Sequence, residues 1–281
     1  MPATAGFLKL ENRYTITARL KMPSAMHIGS GTVNAKTDSP FFQGQDGPII
    51  PGSSIRGVLR SRLEKILQAV GGNRGCVLFF EDPNSRCFTS PNSKLKKEFD
   101  EEHRNKTAAE RERLLEDKLL TDGLCDICRL FGSVLLASKL RISDAKPVKP
   151  ELLIRDGVGI DRDTETAREH IKYDFETLYS DGFTFQADIE NATDPDLALL
   201  AILFQEMLNP GIEIGGKKSR GLGICTLVKG TVSAKGFSDR EGLIRFLGSG
   251  VLEPIPDFEQ KLTSCLNAYL GGNHNVAPGK K

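Results

Sequence analysis

Four of the six cysteines in this 281-residue chain constrain its folding more than any other feature, because their spacing suits a closed metal site. Cys125 and Cys128 lie two residues apart in CDICRLFGS, on a knuckle that lets both thiolates face one ion. Cys76 and Cys87 stand upstream in GCVLFFEDPNSRCFTS. The C-x10-C and C-x2-C halves together supply four ligands from two loops. Four thiolates around zinc leave no position for water or substrate, so such a site holds a fold and performs no chemistry. The alternative is a set of free thiols packed as small apolar side chains. Cys225 falls in a strand pattern and Cys265 in a helix pattern, and both read as packed thiols.

A chain of this length can bury a full core. Its formal net charge is +1, so no global field draws it to a polyanion, and any nucleic-acid site is a local basic patch. No run approaches the roughly 18 apolar residues of a membrane span, and MPATAGFLKLENRY lacks the apolar core of a signal peptide. A cytoplasmic protein with no membrane partner is expected, in a compartment where disulfides are rare.

Residues 14–21, YTITARLK, alternate apolar with polar and predict a half-buried strand. A long Gly- and Pro-rich loop follows. Ile55, Leu59, Leu63 and Leu67 then mark a helix that Ser53 or Ser54 caps and Gly71 ends. In residues 94–118, sixteen of 25 positions are charged, which predicts a solvated helix or a mobile insertion with little stake in the core. Phe183, Phe185, Ala187 and Ile189 define a second strand, preceded by a loop or hairpin excursion. A helix is expected over 195–208 with Pro195 in its first turn. A strand over ICTLVKGTVSA and helices near 238–247 and 257–270 complete the chain. Strand, helix, strand, helix, strand indicates an α+β sandwich with insertions.

Two segments are candidates for binding phosphate. GIEIGGK fits the spacing of a nucleotide-binding loop, but Lys218 stands where a Ser or Thr should meet magnesium and a strand follows where a helix should start. Lys217, Lys218 and Arg220 among five glycines remain a phosphate cradle or, equally, a hairpin with solvated lysines. PGSSIRGVLRSRLE offers open N–H groups, two hydroxyls, and Arg56 and Arg60 on one face at i, i+4.

AMHIGSG, TDSPFF, IIPGSSIRGVLRSRLE, RDGVGIDRDTETA with FETLYSDGFTF, and IGGKKSRGLG occur in that order over about residues 13–230. This series closely resembles the RAMP superfamily of CRISPR-associated proteins. It is most similar to the backbone subunit of type III effector complexes of the Csm and Cmr kind, and CDICRLFGS resembles the zinc-bearing members of types III-D and III-E. The resemblance implies a single α+β domain over 1–281 with a ferredoxin-like or RRM-like palm. It further implies a zinc-binding insertion, which together with the charged run makes up 72–132, with Cys76, Cys87, Cys125 and Cys128 as ligands, and a projecting thumb over 152–182.

By the same resemblance, subunits stack in a filament with other effector subunits along a guide RNA, and the thumb splays a base pair of the guide–target duplex. Asp38 in TDSP occupies the place of the aspartate that supports target-RNA cleavage, with Mg or Mn as the divalent ion. His27, Ser53, Ser54, Arg56, Arg60, Arg155, Arg162, Lys217, Lys218 and Arg220 are the implied RNA contacts. RNA carries its own nucleophile, the 2′-hydroxyl, so a carboxylate that helps remove its proton supplies part of the chemistry. A splayed nucleotide reaches the in-line geometry that an A-form helix forbids. Asp38 is otherwise a turn-capping residue before Ser39-Pro40, with Asp46 its nearest acid in sequence. A non-cleaving, guide-binding subunit is the alternative. Guide processing through His27 ranks below both. The chain departs from ordinary RRM domains in lacking an aromatic K/R-G-F-G-F motif, and the charged run has no family counterpart.

Overall fold

A computed structural model describes residues 9–70, 75–77, 80, 85, 87–90, 93–121, 123–163 and 165–271. Tyr14, Ile16, Ala18 and Leu20 are buried and alternate with more exposed neighbours, which makes β1 (Arg13–Lys21) the central strand. After it come a small hairpin of β2 (Gln43–Gly44) and β3 (Gly47–Pro48), and then α1 (Gly52–Val70). The next helices are α2 (Lys94–Glu102), α3 (Ala108–Thr121) and α4 (Asp126–Phe131). Short strands β4 (Leu140–Ile142) and β5 (Pro147–Val148) precede a long hairpin of β6 (Glu151–Ile160) and β7 (Ala167–Tyr179). The chain returns through β8 (Gly182–Glu190), α5 (Asp194–Leu208) and β9 (Ile212–Glu213) to a 3-10 turn at Lys218–Arg220 and β10 (Ile224–Leu227). It closes with β11 (Ser233–Phe237), α6 (Arg240–Ser249), β12 (Glu253–Pro254) and α7 (Phe258–Gly271).

One antiparallel sheet organises these elements. β8 pairs along β1 from Arg13↔Glu190 to Leu20↔Phe183, and β4 and β5 extend its far edge. The other edge of β1 takes β11 at its start and β10 at its end. The spatial order is thus β4–β8–β1–β10, with α1 between β1 and β4 in the chain and α5 between β8 and β10. α5 is buried along most of its length and packs against α1, α4 and α7. One core joins Ile16, Ala187 and Ile189 of the sheet to Leu59, Leu63, Leu199, Leu203 and Leu262 of the helices. At the start of α5, the Asp196 carboxylate accepts the Thr193 N–H at 2.9 Å and an ion pair from Lys139 at 2.7 Å, both nearly buried.

Three expectations change. The strand over 224–234 is two strands, because Gly230 takes φ +73° and the Thr231 hydroxyl donates to Val228 O at 2.7 Å, closing a turn between them. α1 begins at Gly52, whose N–H donates to the Asp144 carboxylate at 2.8 Å, so Ser53 and Ser54 lie inside the first turn and not at the cap; Gly71 lies outside the described residues. The charged run is two helices with a real stake in the core. Leu95 and Phe99, at i, i+4 on α2, are buried with Leu119 of α3, and Phe99 meets Phe88 edge-on at 5.4 Å. Few apolar residues suffice when they fall on one face. No helix among the described residues is long and apolar enough to cross a membrane.

Candidate nucleic-acid interface and metal centre

Three distant segments meet at the base of the β6–β7 hairpin. Met26 and Leu178 exchange backbone hydrogen bonds at 2.8 and 2.7 Å, which lays the loop after β1 against β7. His27 is buried, and its Nδ1–H donates to Glu176 O at 2.6 Å while Nε2 accepts from the Ser39 hydroxyl at 3.3 Å. Further along, Glu176 N–H donates to Ser39 O at 3.0 Å and its carboxylate accepts the Phe41 N–H at 2.8 Å. Asp38 is exposed beside Asp174. The Asp38 N–H donates to Asp174 Oδ1 at 2.7 Å, and the Asp174 N–H donates to Asp38 Oδ2 at 3.2 Å.

The glycine-rich loop is fastened to the same place. Gly216 N–H donates to His27 O at 2.8 Å and Gly223 N–H to Ala25 O at 2.7 Å. Gly215 has φ +91° and a Cβ there would stand 2.2 Å from His27 O, so only glycine permits this approach. Lys217 then lies 4.2 Å from the Phe175 ring centre and 4.6 Å from that of Tyr173. The Arg220 guanidinium lies 5.4 Å from the Tyr173 centroid and hydrogen-bonds its hydroxyl. Across the hairpin, Tyr173 is paired with Gly157, where a Cβ would stand 2.3 Å from the tyrosine Cζ. Lys218 and Arg220 remain exposed. The hairpin itself exposes Leu153, Ile154, Val158 and Ile160, with Arg162 exposed near its tip.

The electrostatics follow from these contacts. Burial lowers the His27 pKa below its ordinary 6.5 and the Lys217 ammonium adds to that, while the bond to Glu176 O opposes both. Asp174 is held below the usual carboxylate range by the Thr37 hydroxyl first and the Asp38 N–H second, with Lys172 assisting. A neutral buried His27 has a consequence for stability. Below pH 6.5 the unfolded chain protonates this imidazole before the folded one does, so the unfolded state binds more protons and stability falls on acidification. Between pH 7.5 and 5, Tm should drop more for the wild type than for His27→Asn, whose amide can still reach Glu176 O. Parallel curves for the two proteins would contradict this role.

The four cysteines also converge. Cys76, Cys87, Cys125 and Cys128 are buried, with all sulfurs within 4.8 Å of one another. The Cys76–Cys128 and Cys76–Cys125 separations are 3.4 and 3.6 Å, close to the tetrahedral edge of about 3.8 Å that a 2.3 Å metal–sulfur bond requires. Hydrogen bonds from Cys125 pull Cys87 and Cys128 toward thiolate, whereas Cys125 itself is pushed up by its bond to Cys128. Burial opposes ionisation at all four, so the full thiolate set calls for a central cation. An outer layer is present. The Thr89 hydroxyl reaches the sulfurs of Cys87 and Cys128 at 3.0 and 3.1 Å, and backbone N–H groups of Cys76 and Cys125 point at Cys125 and Cys87 sulfurs at 3.4 and 3.5 Å. The donor set is all sulfur and closed, and it fits zinc.

Several sequence candidates lie elsewhere than at the hairpin base. Arg60 is buried, with Nε on Glu64 at 2.9 Å, Nη1 on Gly132 O at 3.0 Å and Nη2 on the Cys128 sulfur at 3.6 Å. Arg56 donates to Phe131 O and covers its ring at 5.7 Å. Both arginines therefore clamp the cysteine knuckle to α1. Ser53 is exposed and Ser54 half-buried at the start of α1, and Asp46 pairs with Lys146 at 2.8 Å. Arg155, by contrast, belongs to the hairpin base, where it is paired with Phe175 and lies over the Tyr179 ring at 5.4 Å. Asp174, Tyr173 and Phe175 were not singled out from the sequence. Alternation in YDFE signals a strand, but nothing local shows that Asp174 meets a loop 136 positions upstream.

A family model described as the RAMP superfamily matches residues 19–226. No curated protein matches the chain. The matched span runs from β1 through β10 and includes the loop of Asp38, the hairpin, the cysteine centre and the glycine-rich loop, so this chain belongs to the RAMP superfamily.

Proposed function

We propose that this protein is a backbone subunit of a type III CRISPR ribonucleoprotein, binding guide RNA and cleaving complementary target RNA beside Asp38. The observation that carries the reading is the meeting of Asp38, Lys217 and Arg220 with the base of the β6–β7 hairpin, with Lys218 exposed in the same turn. Membership in a family associated with CRISPR complexes and RNA binding supports it. The sheet order β4–β8–β1–β10 with crossovers α1 and α5 supports a ferredoxin-like or RRM-like palm. The β6–β7 hairpin serves as the thumb, and the segment bearing the cysteines and α2–α4 as a zinc-stabilised insertion. Subunits stack along the guide in the cytoplasm with other effector subunits.

In this reading Lys217, Lys218 and Arg220 hold backbone phosphates, with Arg162 reaching the duplex from the thumb. Arg60 leaves the set of phosphate contacts because its donors serve Glu64 and the knuckle, while Arg56 gives one nitrogen to Phe131 O and keeps the others for RNA. His27 acts from beneath, holding the loop. The thumb separates a base pair, and the freed nucleotide turns its 2′-hydroxyl in line with the scissile phosphate. Asp38, exposed at that point, accepts the hydroxyl proton or orients it. A divalent ion, Mg or Mn, when bound would offset charge on the phosphorane.

RNA binding is tested with Lys217→Ala, Lys218→Ala and Arg220→Ala combined. Losing three phosphate contacts should flatten the dependence of log K on log salt by about 2 to 3 units and weaken affinity at least tenfold at moderate salt. Unchanged binding would sink the RNA reading. One observation favours a non-cleaving subunit instead: His27 is buried with both ring nitrogens hydrogen-bonded, so it offers no proton to a leaving 5′-oxygen. Asp38→Ala separates the two readings.

A further inference from the structure

We infer that Asp174 is a positioning residue that ties Asp38 to the β6–β7 hairpin, so that the seating of the hairpin sets where the Asp38 carboxylate points. The inference rests on the proposed cleavage at Asp38 and adds a second residue to it. Asp38 and Asp174 are bonded twice in opposite senses, each backbone N–H donating to the other's carboxylate, at 2.7 and 3.2 Å. Both the backbone and the side chain of Asp38 are thus referred to one residue of β7. Thr37, itself buried, places its hydroxyl on the same Asp174 carboxylate. Asn34 Oδ1 accepts the N–H groups of Lys36 and Thr37 at 2.8 and 2.9 Å, which closes the loop behind the pair.

Strand geometry extends the latch. Successive side chains alternate, so Asp174 and Glu176 face the same way. Glu176 fastens Ser39 O and the Phe41 N–H. Residues 37–41 are consequently zipped along β7 and move with it. On the far side, Asp174 is paired with Asp156 of β6, whose carboxylate lies 3.5 Å from Lys172. The hairpin exposes apolar residues along its length, so a duplex that bears on it and shifts it shifts Asp38 as well. A loop aspartate without this partner would sample several rotamers, and misplacement by about 1 Å can cost on the order of a hundredfold in rate.

The test compares Asp174→Ala with Asp174→Asn in the assembled ribonucleoprotein, with Asp38→Ala alongside. The asparagine keeps an acceptor for the Asp38 N–H, whereas alanine removes it. Single-turnover cleavage should fall about 10- to 100-fold in Asp174→Ala, with RNA affinity within twofold of wild type, and recover to within about threefold in Asp174→Asn. Hydrogen exchange at the Asp38 amide should accelerate in the alanine variant and not in the asparagine variant. Asparagine as slow as alanine would overturn positioning in favour of a need for the second charge, as in shared binding of a divalent ion. Affinity falling in step with cleavage, or wild-type exchange at Asp38 in Asp174→Ala, would also overturn it. Full cleavage by Asp38→Ala would reject the cleavage reading itself, an outcome distinct from normal cleavage by Asp174→Ala alone.

Discussion

Cys128→Ser should lose a stoichiometric bound zinc ion and melt about 10–20 °C below the wild type, which for a domain of this size corresponds to about 5 kcal/mol. Cys128 is fully buried, its sulfur lies 3.4 Å from that of Cys76, and it receives donors from Thr89 and Arg60. A serine in its place removes one ligand and takes away the sulfur that Arg60 Nη2 now meets, leaving that guanidinium to Glu64 and Gly132 O. The damage should spread along defined contacts. Ile127, Leu130 and Phe131 are fully buried beside α1, and Asp126 holds the Tyr269 hydroxyl of α7 at 2.7 Å. Chelation of the wild type should give the same melting shift, because the ligands fold around the ion they bind. Cys225→Ser, at a buried thiol outside the cluster, controls for the mere loss of a sulfur and should retain metal. Zinc absent from freshly purified wild-type protein, or a Cys128→Ser variant that melts with the wild type, would refute a structural metal here.

Asp38→Ala should lower cleavage of complementary target RNA by at least about 100-fold, the usual contribution of a positioned acid or base, while guide and target affinities stay near wild type. The separation is expected because Asp38 is exposed and its carboxylate accepts at the edge of the hairpin, from Asp174 N–H at 3.2 Å. Lys217, Lys218 and Arg220 are held by other contacts, to Tyr173, Phe175 and the glycine-loop backbone. Removing one exposed carboxylate leaves these untouched and takes a negative charge away from the phosphate path, so binding can even strengthen slightly. A wild-type protein that binds but yields no metal-dependent products would assign the non-cleaving role. Undiminished cutting by the alanine variant at every site would remove Asp38 from the chemistry.

Local pattern carried much of this architecture. Alternation in β1 and in Phe183, Phe185, Ala187 and Ile189 of β8 reports directly which side of a strand meets the core, and both faces are as expected. Pro195 in the first turn and the apolar run after it mark α5 for the same reason: first-turn preference and periodicity are short-range properties. The cysteine quartet was legible as a candidate because C-x2-C suits a shared ion, whereas the C-x10-C half had to wait for the fold to bring all four sulfurs within 4.8 Å of one another. Pattern failed where a residue's partner is remote. Arg56 and Arg60 at i, i+4 look identical on a solvated face and behind a cysteine knuckle, and only the approach of α4 to α1 distinguishes them. Leu95 and Phe99 looked too sparse to build a core until α3 and Phe88 closed over them.

By itself, then, the sequence determined the alternating strands, the approximate extents of α5, α6 and α7, a C-x2-C pair with two further candidate thiols, and a cationic glycine loop, each read from local pattern and composition. Tertiary structure alone decided what those parts do together. It carried Lys217 onto Phe175, turned Arg60 toward Cys128, and set Asp38 against Asp174 across 136 positions. The reason is physical. Periodicity records how each residue divides between core and water, which is a local property, whereas a site depends on distances between segments that only the packed sheet and its hairpin fix.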